Sequence, residues 1–179
     1  AFARNTVRVI ASAAVSLRAA EAAAAARGLR AVILSDAIEG EAREVARVHA
    51  AIAREVAARG QPFPRPVVML SGGETTVTLR ARGKGGRNSE FLLSLALGLD
   101  GIEGVTALAA DTDGIDGSED NAGGFVDGGT VARIRAAGAD PRALLDGNDA
   151  WTALDLAGDL LVTGPTGTNV NDFRAILIG

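Results

Sequence analysis

Charged side chains set among glycines concentrate between Ser71 and Gly117, and their types define the chemistry on offer. Ser71-Gly72-Gly73-Glu74 follows an apolar run, and glycines at such a point let backbone N–H groups approach a ligand with no Cβ in the way. Arg82-Gly83-Lys84-Gly85-Gly86-Arg87-Asn88-Ser89-Glu90 leads into the apolar stretch Phe91 to Leu99. That order predicts a helix with Asn88 as N-cap and an anion site at its start. Asp111-Thr112-Asp113-Gly114-Ile115-Asp116-Gly117 follows a strand-like run from Val105 to Ala110 and delivers three carboxylates, suited to a cation or a hydroxyl rather than to a phosphate.

The elements that must position these groups read as alternating helices and strands. Asn5 to Arg27 carries apolar residues at helical spacing, and Ala31 to Leu34 is a short inner strand. Glu41 to Arg59 is a second helix, closed by Gly60 and the proline-spaced link to Pro66. Strands are expected over Val67 to Leu70 and Thr75 to Arg80, a helix over Glu90 to Leu99 and a strand over Val105 to Ala110. A helix near Thr130 to Ala137, short helices over Pro141 to Leu145 and Asp149 to Leu156, and strands at Leu160 to Val162 and Phe173 to Ile178 complete the chain. The expected fold is a three-layer α/β/α arrangement on a mixed, mostly parallel sheet, in one compact unit of residues 1–179. In such sheets ligands collect beyond the carboxyl ends of the strands, where Ser71 and Asp111 both fall.

Composition removes several function classes. There is no cysteine and one histidine, so thiolate metal sites and Cys-His nucleophiles are out of reach, and a reducing, cytoplasmic setting is expected. A formal charge of −4 and 3% aromatic residues argue against nucleic acid and anionic membrane as partners. Only Arg80, Arg82, Lys84 and Arg87 cluster with the sign for an anion. His49 reads as a solvated or half-buried helix residue, Trp151 as packing, and the Glu/Arg pairs of the second helix as a solvated face. The glycine loop lacks the order of a P-loop, and no G-x-G-x-x-G follows a strand. Counting from Asp111, the twelfth position is Ala122 instead of the glutamate an EF-hand needs.

Four motifs in one order carry a resemblance. Ser71-Gly72-Gly73-Glu74-Thr75-Thr76-Val77, Gly85-Gly86-Arg87-Asn88-Ser89-Glu90-Phe91, Asp111 to Gly117, and Pro165-Thr166-Gly167-Thr168-Asn169-Val170-Asn171-Asp172 together resemble the carboxyl-terminal MOFRL region of the glycerate 2-kinases, a family often labelled hydroxypyruvate reductases. The motif-bearing part covers residues 66–179, and residues 1–65 are similar to the helix-strand-helix segment before it. The resemblance implies ATP-dependent, magnesium-assisted phosphorylation of D-glycerate at its 2-hydroxyl, in a cleft shared with an amino-terminal α/β domain outside these residues. It implies Glu74, Arg87 and Asp113 as catalytic residues; chemically, Asp113 suits either orienting or deprotonating the attacking hydroxyl or, with Asp111, serving as a metal ligand. Ser71, Gly72, Gly73, Asn88, Asp116, Asn169 and Asn171 are the expected substrate contacts, and a homodimer is an allowed assembly. Hydroxypyruvate reduction and non-catalytic binding of a hydroxy acid are the rival expectations.

Overall fold

The computed structural model describes Thr6 and residues 8–179. Ser12 caps the first helix, α1 (Ala13–Ala25), its hydroxyl accepting from Val15 N–H. The helix expected from Asn5 therefore begins later: residues 8–12 are irregular, and Asn5 and Val7 lie outside the described residues. Strand β1 (Arg30–Glu41) runs directly into α2 (Ala42–Arg59), which ends at Gly60 in the left-handed conformation. Then come β2 (Val67–Thr76), α3 (Arg87–Gly98), β3 (Val105–Asp111), β4 (Gly123–Asp127), α4 (Thr130–Ala136), α5 (Pro141–Asp146), α6 (Ala150–Ala157), β5 (Leu160–Leu161) and β6 (Asp172–Ile178).

The sheet has the order β1-β2-β6-β3-β4-β5. It is mixed and carries helices on both faces, as expected, but it is not mostly parallel. Only β1 and β2 pair in parallel, and the other four pairings are antiparallel. Two features of the chain cause the difference. The final strand returns between β2 and β3 and runs against both, and β4, whose Gly-Gly start hides its strand character, forms an antiparallel pair with β3. Because β6 opposes both neighbours, β2 and β3 point the same way, and their carboxyl ends flank the amino end of β6. Gly73, Asp172 and Asp111 lie side by side in that register.

Ser71-Gly72-Gly73-Glu74 is not a turn between two strands but the interior of β2. Gly73 has φ +130°, and a Cβ there would meet the Ile38 carbonyl oxygen at 2.2 Å, where the β1–β2 register shifts. The glycine serves close approach of two strands.

One face of the sheet, with Met69, Ala107, Ala109 and Ile176, packs on Ala46, Ala53, Phe91 and Leu95 of α2 and α3. On the other face α1 lays Leu17 within 3.4 Å of where a Gly72 Cβ would stand. His49 is in the core at 4% exposure and not on a solvated face. Its Nδ1 lies 2.9 Å from the Val45 carbonyl and so donates, leaving Nε2 to accept from the Ser71 hydroxyl at 3.1 Å. Burial holds its pKa below the ordinary value, so it folds neutral. A depressed folded pKa gives stability that is full above the unfolded value of about 6.5 and fades as pH falls below it. Wild-type protein should therefore lose stability relative to His49→Gln between about pH 7.5 and about pH 5.5 in urea titrations; parallel curves would mean that His49 charges freely in the folded state.

Candidate functional site

A cleft of about 830 Å³ opens beyond the carboxyl end of β2, lined by Glu74, Thr76, Gly86, Arg87, Glu90 and Asn148 among others. Arg87, in the first turn of α3, is its principal cation. Its Nε donates to Asp172 at 2.6 Å, one terminal nitrogen to Asp111 at 2.5 Å and the other to Glu74 at 3.2 Å. Burial opposes the charge, but the three carboxylates more than offset it and raise the pKa. A guanidinium has five N–H donors, so two remain for a ligand.

Asp172 holds this arrangement together, and sequence reasoning gave it no role. Its side chain is fully buried at the start of β6 and accepts five hydrogen bonds. Arg87 Nε and Asn88 Nδ2 reach Oδ1, while Thr75 N–H, Thr75 Oγ1–H and Arg174 reach Oδ2. Arg174 is also fully buried, stacks its guanidinium 4.9 Å from the Phe91 ring centre and has no other carboxylate within salt-bridge reach among the described residues. Burial lowers its pKa, against the opposing pull of Asp172. A signal was present: Asp172 closes the Asn169-Val170-Asn171-Asp172 motif and opens a strand with an arginine two residues on, on the same face.

The start of α3 differs from expectation. Gly86, not Asn88, occupies the N-cap position, and the cap comes from elsewhere in the chain. Asp116 places one carboxylate oxygen 2.9 Å from Asn88 N–H and the other 2.7 Å from Ser89 N–H and 2.6 Å from the Ser89 hydroxyl. The helix N-terminus is thus already answered by an acid and does not await a ligand anion. Burial pushes the Asp116 carboxyl up in spite of these donors. The loop glycines serve the same junction, since a Cβ on Gly86 would meet Asp116 at 2.5 Å and one on Gly117 would meet the Gly85 carbonyl at 2.3 Å.

The expected site residues divide accordingly. Glu74 and Arg87 line the cleft, and Asp116 borders it at the start of α3; Asp111 stands behind Arg87, and Asp113 adjoins it through its N–H, 3.2 Å from Asp111 Oδ1. Asp113 accepts from Ile115 N–H and Asn169 Nδ2 and pairs with no cation among the described residues. Asn171 contributes its carbonyl to Thr112. Ser71, by contrast, turns into the core onto His49, and Gly72 packs under α1. Asn88 and Asp116 are buried structural partners of α3. Asp111 faces Arg87; burial raises its pKa, against the Asp113 N–H and Arg87. No group of three or more His, Asp or Glu side chains arranged to hold a metal occurs among the described residues.

Replacing Asp172 by Asn keeps its shape and removes the charge that answers Arg174 and Arg87. Leaving a buried charge unpaired costs about 3–5 kcal/mol, and chemical denaturation of Asp172→Asn should show a loss in that range; a loss under about 1 kcal/mol would mean that neither arginine depends on it.

Comparison with known proteins places this geometry in context. The MOFRL family profile matches residues 67–172. A D-glycerate 2-kinase of Thermotoga maritima is 47% identical over 159 residues, covering 89% of this chain and 38% of that protein. A relative in Agrobacterium vitis, 57% identical over 98% of this chain and 46% of its own length, carries the provisional name hydroxypyruvate reductase. The crystal structure of glycerate kinase from Thermotoga maritima superposes with a TM-score of 0.95 at 43% identity, over 97% of this chain and 42% of that one. The chain spans less than half the length of these relatives.

Proposed function

The chain belongs to the MOFRL family, and from that premise we propose that it forms the carboxyl-terminal, substrate-side part of a glycerate 2-kinase. In this reading ATP phosphorylates the 2-hydroxyl of D-glycerate in a cleft closed by an amino-terminal domain of the same polypeptide. The observation that carries it is Arg87: a cation at the cleft wall, fixed by three carboxylates and keeping two N–H donors for a ligand.

Phosphoryl transfer needs positioning and neutralisation of charge more than covalent help from the protein. Arg87 suits a glycerate carboxylate or the transferring phosphoryl group, held through paired N–H donors. Glu74 is its loosest partner, at 3.2 Å and with the side chain 57% exposed, so it yields first when an anion arrives. Asp113, without a cation partner among the described residues, would on this reading orient or deprotonate the attacking hydroxyl or hold magnesium. Magnesium is commonly bound through one or two carboxylates plus substrate phosphates, and it would neutralise phosphate charge. A single carboxylate from Asp113 would fit that habit, with Asp111 taken up by Arg87.

Full-length protein given ATP, magnesium and D-glycerate should release ADP. Oxidation of NADH by hydroxypyruvate without ADP formation would replace the kinase reading by a reductase, and binding of glycerate with neither reaction would leave a binding module.

Arg87→Lys retains the charge and loses the fork. Its kcat/KM should fall at least about tenfold, equivalent to about 1.4 kcal/mol of transition-state stabilisation. Near-normal kinetics of Arg87→Lys and Arg87→Ala would remove Arg87 from the chemistry.

A further inference from the structure

A second groove, of about 440 Å³, lies between α2, the end of α3 and α5, and it is walled by arginine. Arg43, Arg47 and Arg54 come from one side of α2, Arg80 from the segment after β2 and Arg142 from α5. Spacings of four and seven residues bring the three α2 arginines to one helical stripe. Arg47 pairs with Glu44 at 3.0 Å. Arg43 is the floor: 9% exposed, it gives Nε to Glu90 at 2.8 Å and Nη2 to the Leu145 carbonyl at 2.9 Å. Its remaining Nη1 has only Asp146, at 3.8 Å. Arg54, Arg80 and Arg142 have no carboxylate within 4.0 Å among the described residues.

Five guanidiniums therefore outnumber the carboxylates around them, Glu44, Asp146, the Glu90 beneath Arg43 and Glu41 beside Arg43 and Arg80, and three of the five have no carboxylate of their own among the described residues, in a chain whose net charge is −4. Like charges gathered from three separate segments repel unless something answers them, and guanidinium forks match phosphate oxygens in pairs. The small groove and the acidic chain around it do not suit a long polyanion.

We propose that this groove is a second anion site, which binds the phosphate group of a small phosphorylated molecule or free phosphate. The site does not depend on the kinase reading. It touches the main cleft through shared residues: Glu90, the partner of Arg43, also accepts from Asn148 Nδ2 at 2.9 Å, and Asn148 Oδ1 holds the N–H groups of Arg80 and Ala81. Glu90 and Asn148 line the cleft. Occupancy of the groove bears on Arg43 and Arg80, and hence on that wall.

The test is calorimetric titration of the full-length protein with inorganic phosphate and with glycerol 3-phosphate, at matched ionic strength. Wild type should show saturable binding that weakens at least about tenfold in Arg80→Ala/Arg142→Ala, both exposed positions whose loss leaves the core intact. Arg87→Ala should keep this binding, which separates the groove from the cleft. Preference for the monoester identifies a phosphorylated compound as the source, and preference for inorganic phosphate identifies the free ion; either sustains the site. No saturable binding, binding untouched by the double variant, or binding lost in Arg87→Ala overturns it.

Discussion

The carboxylate of Asp172 is the point on which the rest of the site depends. It sits where β6 enters between β2 and β3, so it touches both neighbours and the first turn of α3 at once. Through Thr75 it fixes the end of β2, through Arg87 and Asn88 the start of α3, and through Arg174 the charge inside the core. A fully buried ion with five donors is costly to desolvate and is retained only where its geometry is filled. That cost is compatible with a stable fold here because one acid answers two arginines, and its rigidity is what aims Arg87 into the cleft.

Much of the fold was legible because helix and strand periodicities are local. The α2 helix and its glycine stop, the β3 strand and the closing strand all follow from residue spacing. What was not legible was non-local. Nothing in Phe173 to Ile178 states that it returns between β2 and β3, and that insertion, with the antiparallel β3–β4 pair, makes the sheet mostly antiparallel. The site divides in the same way. Motif order brought out Glu74, Arg87 and Asp113, whereas the partners that hold Arg87, especially Asp172, depend on pairing across about 85 residues of chain.

Glycine-rich segments were the most misleading. Gly73, Gly86 and Gly117 are where protein backbone meets protein backbone, at β1 or at the Asp116 cap. Both readings of such a segment, ligand cradle and close packing, need the same absence of Cβ, so sequence does not separate them. The deciding observation is what stands opposite, and here an aspartate already occupies the helix terminus that a ligand anion would need.

Charge distribution across the two grooves then sets a condition on any chemistry in the cleft. Around Arg87 stand Glu74, Asp111 and Asp172, with Arg174 buried behind, so this wall carries no surplus of positive charge for an anionic substrate. The surplus lies on the other side of the Glu90 and Asn148 bridge, where the arginines of α2 and α5 gather. On the kinase reading, an acid and a nucleotide brought together in the cleft would add several negative charges, and once closure expels water their Coulomb repulsion is weakly screened. Arg87 alone does not balance them. On the kinase reading proposed above, the missing cations would come from outside this wall, as magnesium with the nucleotide and as basic residues of a facing domain, and closure of the cleft and neutralisation of its charge would be one event.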